Sequence, residues 1–345
     1  MLFSPGQTFD GLLYGDGKSG PALPSELARN GGGEAPTLAL IPQIYNKVML
    51  TPIARTKLTA ICFVIALLLP TVSFAEINVE NVQKSVVFLY AADASGKIVP
   101  AGTGFIVDVP ITSQPGQVYK LLVTARHMVD PEWSGCPVPP KLFLHVNEKN
   151  FDPKKQEVGT VDLDLTGEVN AGKQWFVNPD NEVDAAVAAL NGKMLDEYDT
   201  GAVPIFLFPT DEELKTFKAG DEVVSAGLLA GASGKKRNYP ISKYGRVSSV
   251  PEESIDAPKC GQRPSSHSLK LWFIAASLVE GNSGSPIYFS PPLLSNRRPV
   301  LLGVQSMSFI PWDVAGMTPV RYVYEIIESL KLKDANLTRH AETKP

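Results

Sequence analysis

Short apolar runs separated by turn residues dominate this chain between residues 79 and 317. They are rich in β-branched and aromatic residues and fall into two sets, at 85–92, 102–109, 119–125, 141–146 and 184–190, and then at 203–208, 221–227, 244–250, 270–276, 285–290 and 299–307. Short strands at such close spacing favour a sandwich or barrel over alternating β and α units. We therefore predict an all-β fold with two β domains, at 79–190 and 203–317, joined by the polar segment 191–202.

The end of the chain carries the one long helical pattern. Val323, Ile326, Ile327 and Leu330 recur at the spacing of one helix face, and the pattern begins after Pro319. We predict an amphipathic helix at 318–332 that packs back on the second β domain, followed by a polar tail at 333–345.

An export signal is predicted upstream of the β domains. Arg55 and Lys57 precede the apolar run 58–69, and small residues stand at Ser73 and Ala75. A basic flank, a short apolar core and small residues before the cut are typical of a secretory signal peptide. We predict a signal at 49–75 that is cleaved after Ala75, which implies a periplasmic or secreted protein without stable insertion in the membrane. An uncleaved signal that anchors the chain in the membrane remains the alternative, although spanning helices need about 20 apolar residues.

Residues 1–48 precede this signal and show no periodicity. They are rich in Gly, Pro and Ser, and Met49 offers a start at the usual distance from an apolar core. We expect 1–48 to be a non-native or disordered extension outside the fold.

The charge, cysteine and histidine content limits the partners and cofactors. The formal net charge is −4, and we expect no nucleic-acid partner because such proteins concentrate Lys and Arg on one face. Outside the predicted signal the chain keeps Cys136 and Cys260, which in an exported protein form either one disulfide or two free thiols. The four histidines show no metal-ligand spacing. We expect neither a metal nor a cofactor.

Three polar residues at the edges of the apolar runs are candidates for chemistry. Ser283 lies in a glycine-flanked turn before an apolar run, where backbone N–H groups can converge on a developing oxyanion. His127 follows an apolar run, and a histidine can take and return a proton near neutral pH. Asp184 opens another apolar run, where a charge is costly unless it is paired. Each residue taken alone also fits a purely structural role.

Taken together and in this order, the three motifs resemble the trypsin/chymotrypsin clan of serine proteases. The segments that carry the resemblance are Thr124-Ala125-Arg126-His127, Asp184-Ala185-Ala186-Val187 and Gly281-Asn282-Ser283-Gly284-Ser285-Pro286. Three further segments look closest to bacterial HtrA-type proteases, namely 102–105 (GTGF), 218–223 (KAGDEV) and 245–248 (GRVS). The resemblance implies two chymotrypsin-like antiparallel β-barrels with a C-terminal helix.

The resemblance also implies roles for individual residues. Ser283 would be the nucleophile, His127 the general base and acid, and Asp184 the residue that orients the imidazole. The backbone N–H groups of Gly281 and Ser283 would form the oxyanion hole of an endopeptidase acting on a polypeptide substrate. Ser306 would lie near Asp184, and the substrate pocket would contain the following residues: Ser277, Glu280, Ser306 and Met307.

Some positions depart from the family pattern. Ser277 stands where trypsin-like pockets carry Asp, so the sequence gives no support for an Arg/Lys preference. Asn282 replaces the Asp of animal digestive enzymes, so activation by a new N-terminal amine is not implied. Arg126 and Ser285 replace smaller residues. HtrA-type relatives usually carry a PDZ domain, and we expect none here because only about 15 residues follow Leu330.

Two other functions stay open at this point. A catalytically weak binding module could keep the fold without turnover, because fold alone does not define function. An esterase or another acyl hydrolase could use the same three side chains.

Overall fold

The computed structural model describes residues 79–93, 95–135, 141–165, 170–259, 262–279, 281–292, 295–309 and 312–339. These residues belong to one structural unit. The predicted extension at 1–48, the predicted signal at 49–75, Cys136, Cys260 and Glu280 lie outside the described residues. Within the described ranges, every helix is too short or too polar to cross a membrane.

The first set of apolar runs forms an antiparallel sheet. Its strands are β1 Val86–Ala92, β2 Ile98–Pro110, β3 Val118–Thr124, β4 Leu142–Asn147, β5 Thr160–Asp164, β6 Asn170–Val177, β7 Ala186–Leu190 and β8 Val203–Pro204. The pairing order is β5-β4-β1-β2-β3-β7-β6, and β8 adds to β2 in parallel. This order places β3 beside β7, although β3 ends at Thr124 and β7 begins only at Ala186.

The second set forms a closed antiparallel barrel with an added hairpin. Its strands are β9 Glu222–Gly227, β10 Ile241–Ser249, β11 Ile255–Lys259, β12 Gln262–Leu269, β13 Trp272–Ala275, β14 Pro286–Phe289, β15 Val300–Phe309 and β16 Val314–Pro319. Six of them close in the order β10-β13-β16-β15-β14-β9, while β11 and β12 pair only with each other. The all-β fold class of the prediction is confirmed.

The predicted C-terminal helix is confirmed with shorter bounds. It spans Val320–Ser329 and buries Val323, Ile326 and Ile327, while Pro319 stands at its N-terminal boundary because proline cannot supply a backbone N–H. The other α-helices among the described residues, which the apolar pattern does not predict, are Val79–Ser85, Pro131–Ser134, Gly192–Leu195 and Asp211–Leu214. We number them α1 to α4, and the C-terminal helix is α5.

The predicted strand at 203–208 is wrong beyond its first two residues. Val203–Pro204 pairs with β2 of the first sheet, and Ile205–Leu207 is a 3₁₀ turn. Ile205 and Phe208 are buried whereas Phe206 is 45% exposed, so the buried positions recur every three residues rather than every two. That period fits a 3₁₀ turn and not a strand.

One hydrophobic core joins the two sheets. Phe88 and Phe105 of the first sheet, Tyr288 and Leu301 of the barrel, and Val323 of α5 belong to the same buried cluster. Each such side chain contributes roughly 1.5–3 kcal/mol on burial. This shared core fixes the two sheets relative to each other.

Candidate active site

His127 and Asp184 come together because β3 and β7 are antiparallel neighbours. Thr124 at the end of β3 lies opposite Ala186 at the start of β7, so the residues just beyond these ends are adjacent. His127 lies in a 3₁₀ turn directly after β3, and its Nδ1 is 2.8 Å from Asp184 Oδ2. The backbone N–H of His127 donates to Asp184 Oδ1 at 2.9 Å. The carboxylate therefore fixes both the backbone and the ring of the histidine.

Asp184 is almost completely buried, at 2% exposure, and Ser306 supports it from the barrel. Ser306 Oγ donates to Asp184 Oδ2, and the register of β15 shifts at this residue, as in a β-bulge that re-aims a side chain. Burial raises the pKa of Asp184, but the charge of His127 and the hydrogen bonds from His127 and Ser306 outweigh it, and the net pKa is lowered. Asp184 is thus held as a carboxylate.

Ser283 lies in the loop between β13 and β14, which turns sharply at two glycines. Gly281 has φ 92° and Gly284 has φ 87°. Residues with a Cβ atom disfavour such positive φ values, whereas glycine adopts them readily. Asn282 between them is buried, and its Nδ2 donates to the carbonyl of Leu228 at 3.0 Å. Its Oδ1 accepts the N–H of Val279 at 2.9 Å. Asn282 therefore stabilises the loop through the hydrogen bonds of its buried side chain.

The first sheet also supports this loop, through β2. Thr103 is fully buried; its Oγ1 donates to the carbonyl of Gly281 at 2.6 Å, and its N–H donates to the carbonyl of Ser283 at 2.9 Å. Thr124, three residues before His127, donates to the carbonyl of Thr103 at 2.8 Å. Thr103 belongs to the GTGF segment but is not among the site residues that the sequence predicts. Hydrogen bonds thus connect the serine loop to the strand that presents the histidine.

A second connection runs through β15. The N–H of Gly284 donates to the carbonyl of Gln305 at 2.8 Å, and the N–H of Gln305 donates to the carbonyl of Ser285 at 2.8 Å. The next residue, Ser306, binds Asp184. These hydrogen bonds tie the loop of Ser283 to residues that contact the His127–Asp184 pair, but among the described residues none joins Ser283 Oγ to His127 Nε2. Catalytic hydrogen bonds are often long in unliganded enzymes and tighten when substrate binds.

The residues predicted to form the pocket have different surroundings. Ser277 is exposed, and its hydroxyl donates to Asp313 Oδ1 at 2.5 Å, a contact that the sequence does not predict. Met307 packs against the apolar cluster of the β11–β12 hairpin, which includes Leu269 and Leu271. Ser306 binds Asp184 and is 3% exposed, so its side chain supports the aspartate.

Arg126, one of the departures from the family pattern, has partners of its own next to His127. Its Nε lies 2.9 Å from Asp130 Oδ2, and its guanidinium lies 4.8 Å from the ring centroid of Trp133. An ion pair and a cation–π contact both stabilise a buried guanidinium. These two contacts explain how the fold accommodates a large cation beside the histidine.

Ser285, the other departure, fits because Gly227 lies opposite it. A Cβ on Gly227 would lie 2.0 Å from Ser285 Oγ and 2.8 Å from Asn282 Nδ2. We expect Gly227→Ala to destabilise the protein by about 1–3 kcal/mol through overpacking. Ser285→Gly should recover part of this loss, because the contact with Asn282 remains. Urea unfolding of Gly227→Ala, Ser285→Gly and the double variant gives the coupling free energy between the two positions. Purely additive changes in the unfolding free energy would contradict the contact between them.

The lowered pKa of Asp184 predicts sensitivity to acid. The folded state holds fewer protons on this group than the unfolded chain, so its stabilising contribution is present above the unfolded value of about 3.9. The contribution is lost as the pH falls through the lower folded pKa. We expect the unfolding free energy of Asp184→Asn to depend less on pH below about 4 than that of the wild type. Urea unfolding from about pH 5 to about pH 2 measures this, with the exposed Asp196→Asn as the control. The same dependence of the unfolding free energy on pH in the wild type and in Asp184→Asn would contradict this expectation.

The chain is an all-β protein in which a histidine–aspartate pair lies at the edge of an antiparallel sheet. A glycine-flanked serine loop of the closed barrel is tied to the same sheet by hydrogen bonds. No protein-family model and no curated protein matches the chain. Solved structures that overlap with it include the active form of the Rv3671c protease from M. tuberculosis, with 17% identity over 72% of this chain and 82% of that chain and a TM-score of 0.42. Another is HL collagenase, with 15% identity over 75% of this chain and 97% of that chain and a TM-score of 0.42.

Proposed function

We propose that this chain is a serine-type endopeptidase that cleaves peptide bonds through an acyl-enzyme intermediate. The observation that carries the proposal is the arrangement around Asp184, a buried carboxylate that accepts hydrogen bonds from both the backbone and the ring of His127. Such a carboxylate selects the tautomer with a proton on Nδ1, which leaves Nε2 free to accept the proton of a serine.

In the proposed reaction Ser283 Oγ attacks the carbonyl carbon of the scissile bond while His127 Nε2 takes the hydroxyl proton. The negative charge on the carbonyl oxygen is stabilised by the N–H groups of Gly281 and Ser283. His127 then gives its proton to the leaving amine as the C–N bond breaks. His127 then takes a proton from a water molecule whose oxygen attacks the carbonyl carbon of the acyl-enzyme ester. It gives this proton to Ser283 Oγ as the C–O bond to the serine breaks, and the carboxylic acid product leaves.

The proposal includes export. We propose that the signal at 49–75 directs the chain out of the cytoplasm and is cleaved after Ala75, and that 1–48 is not part of the functional protein. N-terminal sequencing of the protein from its native source tests this, and a mature chain that starts upstream of Met49 would contradict it.

A fluorophosphonate probe together with unfolded casein tests the activity. We expect the purified mature protein to be labelled at Ser283 and to cleave casein, and Ser283→Ala to do neither. Labelling without casein cleavage would favour an esterase or a protease of narrow specificity. A folded wild-type protein that is not labelled would contradict the proposal and favour a non-catalytic binding module.

A further inference from the structure

The segment from Ser277 to Ser283 has to hold its shape if the proposed reaction is to work. It leaves β13, runs past Gly281 and Asn282, and ends at the proposed nucleophile. The N–H groups of Gly281 and Ser283 stabilise an oxyanion only when both point to the same place. We call its described residues, 277–279 and 281–283, the nucleophile segment.

Lys243 of β10 reaches the nucleophile segment near both of its ends. Its ammonium donates to the carbonyl of Ser277 and lies 3.4 Å from Asn282 Oδ1. The same Oδ1 accepts the N–H of Val279, so the lysine and the internal hydrogen bonds of the segment converge on one side chain. Asn282 is 1% exposed, which leaves it little freedom to find other partners.

The surroundings of Lys243 are unusual for a surface lysine. Its side chain is half-buried, and burial lowers the pKa of its ammonium. Both oxygens that it contacts are uncharged, so they compensate the loss of water less than a carboxylate would. A lysine that served only solubility would extend its ammonium into water.

We propose that Lys243 is a positioning residue that clamps the nucleophile segment and keeps the oxyanion N–H groups aligned. Lys243 does not touch the reacting atoms, and it acts through Ser277 and Asn282. This inference rests on the proposed function for its catalytic consequence, whereas the clamp itself is a property of the fold. Deleting an oxyanion donor costs about 10²–10³ in rate, and Lys243→Met misaligns the donors without deleting them. We therefore expect a loss of about 10- to 100-fold in the rate of serine modification.

The experiment combines labelling kinetics with hydrogen exchange on the folded mature protein. The variants are Lys243→Met, Lys243→Gln and Lys243→Arg, and the control is Lys215→Met, which removes an exposed lysine paired with Glu212. For Lys243→Met we expect a lower maximal rate of fluorophosphonate labelling, little change in the probe's binding constant, and faster amide exchange confined to 277–285. Lys243→Arg should restore most of the rate, and Lys215→Met should match the wild type. If Lys243→Met does not fold, Lys243→Gln provides the same comparison.

Three other outcomes would overturn the clamp, and a fourth would separate it from the proposed function. Unchanged labelling and unchanged exchange in Lys243→Met would overturn the clamp, and so would faster exchange throughout the barrel, which indicates a general loss of stability. Lys243→Arg as defective as Lys243→Met would also overturn it, because the positive charge would not matter. If the wild type is not labelled but the exchange at 277–285 still depends on Lys243, the clamp is supported while the proposed endopeptidase function fails.

Discussion

Replacing Ser283 by alanine is expected to reduce kcat by about 10⁶-fold, the largest effect of any single substitution in this chain. The substitution removes the only atom that can form the acyl-enzyme in the proposed reaction. Oxyanion stabilisation and substrate binding remain, so a residual rate of about 10³–10⁴ over the uncatalysed reaction should persist. A peptide that the wild-type protein cleaves is first selected from a library. The value of kcat for its hydrolysis is then measured for the wild type and for Ser283→Ala.

Ser285→Ala is the matched control for Ser283→Ala. Ser285 lies two residues further along the same loop, is fully buried, and its Oγ has no hydrogen-bond partner among the described residues. Removing an unsatisfied hydroxyl should leave stability and turnover nearly unchanged. Comparable losses of kcat in Ser283→Ala and Ser285→Ala would show that the loop tolerates no change. They would remove the reason to assign the nucleophile to Ser283. Full activity in Ser283→Ala would contradict the proposed mechanism directly.

Replacing Asp184 by asparagine is expected to lower kcat by about 10⁴-fold while the shape of the site is kept. The amide oxygen can still accept the N–H of His127, now held at 2.9 Å by Oδ1. The amide nitrogen then takes the place of Oδ2, where it faces His127 Nδ1 and Ser306 Oγ. Nδ1 has to accept a hydrogen bond there, so the proton moves to Nε2. A protonated Nε2 cannot take the proton of Ser283.

Two measurements check this expectation. Peptide hydrolysis gives kcat, and ¹⁵N NMR of the histidine ring reports which nitrogen carries the proton. We expect the proton on Nδ1 in the wild type and on Nε2 in Asp184→Asn, with the exposed Asp196→Asn unchanged in both respects. An unchanged tautomer with an unchanged kcat would show that Asp184 does not orient His127.

The local pattern of the sequence predicts most of the β fold, because each strand carries its own signal. The runs at 85–92 and 119–125, for example, become β1 and β3 with their ends within one residue of the prediction. The same logic fails where the signal is weak or mixed. The polar strand β12 and its partner β11 carry no clear apolar run. All four residues at 205–208 are apolar although only Ile205 and Phe208 are buried, so a search for apolar runs misreads this 3₁₀ turn as a strand.

The sequence also predicts which residues are candidates for chemistry, through motif spacing and the family resemblance. The motif Thr124-Ala125-Arg126-His127 distinguishes His127 from the other histidines. The structure gives His145 partners of its own, since it pairs with Asp162 at 2.6 Å and stacks on Tyr90. The catalytic roles of His127, Asp184 and Ser283 remain the proposal that the experiments above test.

What the sequence alone determined is thus the all-β class, the C-terminal helix and the identity of the three candidate side chains, since these depend on residues that are close together in the chain or on short motifs. What only the tertiary structure decided is how distant segments support them. Thr103 and Lys243 contact the site from two different strands, and Asp313 reaches Ser277 from the turn before β16. These contacts depend on strand order and register, which arise from the packing of the whole chain and leave no local signal.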